Sequence, residues 1–463
     1  MEYSPGNVAP RILSRAEHNV SRKNIDEDAL KVLYRLKNHG YVAYLVGGGV
    51  RDLLLERRPK DFDIGTSAHP QQVKKLFRNC FIVGRRFRLC HVRFGRKVIE
   101  VSTFRKQAPA EDGDSLIRRD NTFGSPEEDA FRRDFTVNAI FYDIATFSVI
   151  DWVGGIRDLE KRVIRTIGDP AVRLREDPVR MLRAAALAAR LDFTIDQESV
   201  EAIRASRGDI VRSSPARVLE EFYKILRQGS ALETFRRLHE LGLLAYLFPA
   251  ADQAIVEKNP AFLESLARLD EYRARALTAP EALTNPVLMG SLLVPLGVPL
   301  RRVPVAPRRG ARPDEEAEAE PADDVAAEME ALGESEEAAD VEAPPDPNAP
   351  LVMPFARRDL DRLRLILVAQ RRLRDANLSP GLKHTLAGRG YLDDALLWLE
   401  IHGGPEGREL AGHWRGLEAI ASPPLPPGTA GDSPVEASAP EPRRRPRRRR
   451  RRRRPPLPPT PVA

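Results

Sequence analysis

Apolar residues follow two regimes along this chain of 463 residues. Up to about residue 156 they come in short runs between polar turns, the habit of alternating strands and short helices. Ile25–His39 carries Leu30, Val32, Leu33 and Leu36 at helical spacing, with Gly40 at the expected stop. The pattern predicts strands at Tyr41–Val46, Asp61–Ile64, Phe81–Val83, His91–Phe94 and Val98–Ser102, with fragments at Tyr142–Asp143 and Val149–Asp151. Helices are predicted at Val50–Glu56, Gln71–Phe77 and Phe131–Ile140. Beyond Arg157 the period is helical almost throughout. One long helix is expected over Glu176–Leu191, then Ala216–Arg227 behind the Ser214-Pro215 start, Leu232–Leu244 and Leu360–Ala376.

These regimes divide the chain into a flexible arm (1–24), a mixed α/β domain (25–156), a helical neck (157–230) and a helical body (231–302 and 351–421). The stretches 303–350 and 422–463 are nearly devoid of large apolar side chains. They are expected to be disordered, because they cannot bury enough apolar area to offset an ordering entropy of about 1–2 kcal/mol per residue.

Charge sharpens this division. The net charge of +7 conceals opposites: residues 311–350 hold 15 acidic side chains and one arginine, whereas 443–454 hold 11 arginines. The remainder keeps an excess of positive charge, which favours a polyanionic partner. Two cysteines without CxxC spacing argue against a disulfide framework or a structural zinc site. With no signal-like segment and no run long enough to span a bilayer, a cytoplasmic protein without membrane association is expected.

Two motifs carry chemistry. In "YLVGGGVRDLLL" a strand, a glycine turn and a helix start bring backbone N–H groups together as a phosphate cradle at Gly47 and Gly48, with Arg51 as an added cation. The loop is neither a Walker A motif nor a dinucleotide fingerprint. About a dozen residues on, "KDFDIG" sets Asp61 and Asp63 on one face of a strand. Two carboxylates so close favour protonation of one unless a cation offsets them. Mg²⁺, with Mn²⁺ as the alternative, suits such a pair because it completes its shell with water and substrate phosphates. Glu100 on "VIEVSTF" is a weaker third carboxylate. Cys90 and His91 do not read as a dyad, since adjacent strand residues point to opposite faces.

The stretch "LVGGGVRDLLLERRPKDFDIGT" resembles the signature of the class II template-independent nucleotidyltransferases, the family of bacterial poly(A) polymerases and CCA-adding enzymes. "RRDFTVNAI" (Arg132–Ile140) is similar to its ribose-contacting motif, and "EDPVRMLRAA" (Glu176–Ala185) to its base-reading helix. The resemblance implies a palm-like α+β nucleotidyltransferase domain with a mixed sheet, followed by an all-α neck and body. It also implies catalysis by Asp61, Asp63 and Asp134, with Asp61 and Asp63 holding the metal. Nucleotide binding falls to Gly47, Gly48, Arg51, Arg132, Arg133, Asp177, Arg180 and Arg183. On the helix expected there, Asp177 and Arg180 share a face toward the base, and Arg183 extends it toward phosphate. Ala186 departs from the family, which commonly has arginine there.

"FIVGRRFRLCHVRFG" (Phe81–Gly95) resembles the poly(A) polymerase branch more than the CCA-adding one. The implied activity is AMP transfer from ATP to RNA 3′ ends, in mRNA polyadenylation and RNA decay, with CCA or A addition to tRNA as the alternative. The implied partners are ATP and RNA, not DNA. The arginine tail adds a salt-sensitive attraction to RNA phosphates and a contact for RNA-decay proteins.

Overall fold

A computed structural model describes residues 9–84, 88–95, 97–106, 122–275, 283–300, 353–375 and 377–421. The expected disordered insert (303–350) and tail (422–463) lie outside the described residues, as do Arg85–Phe87 of the "GRRF" stretch.

The first half is a mixed sheet of eight strands: β1 (Arg11–Leu13), β2 (Ala43–Val46), β3 (Asp63–Thr66), β4 (Cys80–Val83), β5 (Leu89–Phe94), β6 (Lys97–Thr103), β7 (Ile140–Asp143) and β8 (Ser148–Asp151). Their spatial order is β1-β8-β7-β2-β3-β6-β5-β4. Every neighbouring pair is antiparallel except β3 and β6. Helices α1 (Glu27–Asn38) and α3 (Pro70–Leu76) pack on one face. Under them Val32, Leu33, Leu36, Leu45 and Ile64 are fully buried. On the other face Val46, Phe104, Phe131, Phe141 and Val153 form a second core, which Trp152 caps edge-on at Phe141. The mixed sheet-and-helix domain expected from the pattern, and the α+β class that the resemblance implies, are the ones observed.

Four local expectations need correction. Residues 9–24 are not a loose arm. β1 closes the sheet edge against β8, Val20 is buried, and the His18 ring bonds the Phe147 carbonyl at 2.9 Å. A strand of three residues leaves too little alternation to be seen in the pattern.

The predicted helix over Phe131–Ile140 starts and stops earlier, as α4 (Pro126–Phe131). Ser125 and Glu128 make a reciprocal capping box and Pro126 occupies the first helical position, so the start is set upstream. Residues 132–139 then form an irregular turn with a single 3-10 segment at Thr136–Asn138.

Glu176–Leu191 is not one helix. After α2 (Gly48–Leu54) and α5 (Gly155–Glu160), α6 spans Pro170–Glu176 and α7 spans Val179–Leu191. Pro178 breaks the run, because the residue before a proline is driven from the helical region; Asp177 accordingly has φ −147° and ψ 90°. Finally, β3 begins at Asp63, so Asp61 precedes the strand instead of sharing its face.

After α8 (Gln197–Ser206), α9 (Pro215–Arg227) and α10 (Ala231–Glu240), the body packs helices Pro260–Arg275, Asn285–Leu293, Arg357–Leu373 and Leu392–His402. A Cβ on Gly290 would stand 2.5 Å from Trp398 and 2.6 Å from Leu363. Only a glycine allows three of these helices to approach so closely.

Candidate active site

Gly47 ends β2 and caps α2 with φ +73°, a conformation that favours glycine. A Cβ there would lie 3.2 Å from Arg133 Nη1 and 4.0 Å from Asp63 Oδ2. The glycine turn, the β3 carboxylate and one arginine of "RRD" therefore come together at Gly47. Gly49 has a different duty: its Cβ would sit 3.1 Å from the Asp61 carbonyl, so this glycine lets the chain before β3 pass under α2.

Burial and the neighbouring carboxylates of Glu100 and Asp61 push the Asp63 carboxyl up to about 6, against the pull of Arg133. Register explains Glu100. Ile64 pairs with Val101 in the parallel β3–β6 ladder, so the preceding residues, Asp63 and Glu100, also stand side by side. Asp61 is 69% exposed and lies 3.7 Å from Lys60. Among the described residues no three or more His, Cys, Asp or Glu side chains are grouped to hold a metal ion by themselves. The oxygen-only pair of Asp63 and Glu100, with Asp63 buried and short of positive charge, still suits a hard divalent cation that draws further ligands from its substrate.

Asp134 is placed elsewhere. It is 9% exposed and pairs with Arg183 at 2.6 Å, while the Phe135 N–H donates to its Oδ1 at 2.9 Å. Burial opposes ionisation, yet Arg183, that N–H and Asn138 hold the carboxyl below its ordinary value. The carboxylates whose charge acts on Asp63 are Glu100 and Asp61, while Asp134 is paired with Arg183.

Arg51 is likewise not an open cradle cation. Only 3% exposed, it donates to Asp52 from Nε and Nη2, at 2.8 and 2.7 Å, and to the Asn138 side-chain oxygen. Arg132 and Arg133 share the buried Asp129, at 2.7 and 3.0 Å. Arg173 holds the backbone beneath them, donating to the Arg132 and Arg133 carbonyls at 2.6 and 2.7 Å.

These contacts close a polar ring that no motif announced. From Arg183 on α7 it runs to Asp134, to Asn138 (3.4 Å), to Arg51 and to Asp52, and returns to α7 through Arg190 at 2.8 Å. Arg183 and Arg190 are seven residues apart, two turns along one helix face. The glycine helix and the "RRD" turn are thus bolted to α7. Asn138, within the "RRDFTVNAI" motif but assigned no role there, is the hub.

At the neck, Asp177 Oδ2 accepts from Arg217 on α9 at 2.8 Å, while its Oδ1 is buried with no hydrogen-bond partner. Arg180 donates to the Arg173 carbonyl at 2.6 Å and lies 3.4 Å from Glu176. Ala186 is buried within α7.

Residues 43–165 match the family described as poly A polymerase head domain, and residues 192–255 the one described as probable RNA and SrmB-binding site of polymerase A. Residues 43–165 are thus similar to a poly(A) polymerase head domain. The matched stretch holds the glycine turn, Asp63, Glu100 and the "RRD" turn. Over 264 residues the chain is 50% identical to poly(A) polymerase I of Salmonella typhi, covering 55% of this chain and 57% of that protein. It is 40% identical over 224 residues to a CCA-adding enzyme of Geobacillus sp., covering 48% and 54% respectively. The chain thus spans little more than half the length of these curated relatives. Among solved structures, the Bacillus stearothermophilus CCA-adding enzyme in complex with CTP superposes with a TM-score of 0.55 at 27% identity. That match covers 85% of this chain and 82% of the other.

Proposed function

We propose that this chain is a template-independent polymerase that transfers AMP from ATP to RNA 3′ ends and releases pyrophosphate, serving mRNA polyadenylation and RNA decay in the cytoplasm. The carrying observation is the meeting of Gly47, Arg133 and the charge-strained Asp63 beside Glu100. The level of identity to poly(A) polymerase I supports it.

Asp63, Asp61 and Glu100 are the residues that would hold Mg²⁺ or Mn²⁺. Bound there, such an ion neutralises triphosphate charge and activates the attacking hydroxyl. Gly47 and Gly48 admit the phosphates close to backbone, and Arg133 supplies fixed positive charge beside them. Asp177 Oδ1 is a buried acceptor suited to the amino group of a base, with Arg180 as its neighbouring donor. Catalysis of this kind is chiefly positioning and charge stabilisation.

Addition of CCA or A to tRNA is the second reading. Adenine and cytosine both present an amino donor, so the orphan Asp177 oxygen accepts from either. Extension of RNA with each nucleotide supplied separately tests the choice. ATP alone should give a long homopolymer; a strict need for CTP with a stop after CCA would overturn the polymerase reading. Asp63→Ala should abolish incorporation while RNA binding persists.

A further inference from the structure

The "FIVGRRFRLCHVRFG" stretch resembles one branch of the family but has no part in the site described above. Strand register gives part of it a place. Asp63 stands beside Glu100, Glu100 pairs with His91 across β6–β5, and His91 pairs with Phe81 across β5–β4. These four side chains form one row running from the transfer site to the sheet edge. With strands about 4.8 Å apart, the row is roughly 14 Å long.

Alternation decides which way the row faces. Cys90, Val92, Ile99 and Val101, the intervening residues of β5 and β6, are at most 3% exposed and belong to the helix-covered face. On the opposite face Phe81 is 53%, Val83 44% and Val98 38% exposed. Here the His91 ring reaches within 3.6 Å of Glu100, and the Arg93 guanidinium stands over the Phe81 ring at 5.2 Å. A phenyl ring on a sheet edge costs solvation and packs no core.

We infer that this row is the seat of the RNA 3′ terminus, its last bases stacking on Phe81 and His91 with Arg93 on the backbone. The inference rests on the polymerase reading proposed above. Aromatic and guanidinium planes on an open sheet face hold single-stranded nucleic acid without sequence preference. The row ends at the carboxylates where a 3′-hydroxyl must arrive. A protein ligand would use the exposed apolar side chains but gains nothing from that continuity.

Single-stranded oligoadenylate carrying 2-aminopurine next to its 3′ end tests the assignment. Stacking on the row quenches its fluorescence in the parent complex. In Phe81→Ala the quench is lost and KM for the oligoadenylate rises roughly tenfold, the factor equivalent to about 1.4 kcal/mol, while KM for ATP holds. Phe81→Trp keeps both the quench and the low KM, which a merely structural role would not require. Arg93→Gln weakens binding and flattens its salt dependence. An active parent enzyme whose Phe81→Ala variant keeps its primer KM and its quench overturns the inference. A parent that binds and quenches the RNA but makes no product from ATP overturns the polymerase reading instead.

Discussion

Asp63 shows how one residue's environment trades stability for function. Its folded-state carboxyl is raised from 3.8 to about 6, so its unfavourable contribution is absent below pH 3.8. That cost grows as pH rises toward 6 and is complete above it. Without divalent ion, Asp63→Asn should therefore stabilise the protein at pH 7 by at most about 3 kcal/mol, with no gain at pH 3.5. Thermal melts at the two pH values check this. Gly49 is a second single-residue case. Its Cβ would crowd the Asp61 carbonyl, a backbone atom that cannot rotate away. Gly49→Ala should displace Asp61 and cut incorporation at least about tenfold, equivalent to 1.4 kcal/mol of transition-state stabilisation, while the melting temperature shifts only modestly.

At the scale of elements, the ring through Asp134, Asn138, Arg51 and Asp52 holds α2 to α7. Asp52 is 3% exposed and answers both Arg51 and Arg190, so removing its charge leaves two cations facing each other. Asp52→Asn should cost about 3 kcal/mol, the usual penalty of breaking a buried pair. Arg190→Gln should cost less, since its side chain is 35% exposed. The double variant should be less destabilised than the sum of the two, as residues in one network are not additive. Denaturant titration of all four proteins checks the cycle. A changed preference for ATP over CTP in Arg190→Gln would show that the ring also sets where the proposed base contact of Arg180, near the start of α7, stands.

For the whole molecule, the helical body buries a histidine in a setting that favours its neutral form. His402 bonds Ser291 at 2.9 Å and stacks on Trp398, and burial together with Arg268 lowers its pKa to about 3. An unfolded histidine takes its proton near 6.5. Holding His402 neutral therefore costs nothing above pH 6.5, and the cost grows as pH drops toward 3, where the unfolded state gains a proton that the folded state refuses. His402→Gln should flatten the loss of melting temperature over that window. Deleting residues 443–454 removes eleven arginines. RNA binding should then weaken and lose much of its salt slope, with KM for ATP unchanged; filter binding across salt concentrations checks this.

Much was readable from sequence because it depends on local geometry. Period-2 and period-3.6 patterns follow from strand and helix geometry, and they placed strands β2 to β8 and helices α1, α2, α3, α9 and α10 to within a few residues. Gly47 and the closely spaced Asp61 and Asp63 pointed to a candidate phosphate-and-cation site. What local pattern could not show was partnership over distance. Asp134 was expected among the catalytic carboxylates; the fold pairs it with Arg183, forty-nine residues away. Glu100 enters because parallel register sets it beside Asp63, and register is decided by the fold of the whole sheet. Arg51 was read as an open cation and is sealed beneath the turn by Asp52 and Asn138. The sequence by itself determined which chemical groups this protein possesses and the period on which they recur. Only the tertiary structure decided which of them are buried together, because charge pairing and desolvation depend on distances that close when remote segments pack.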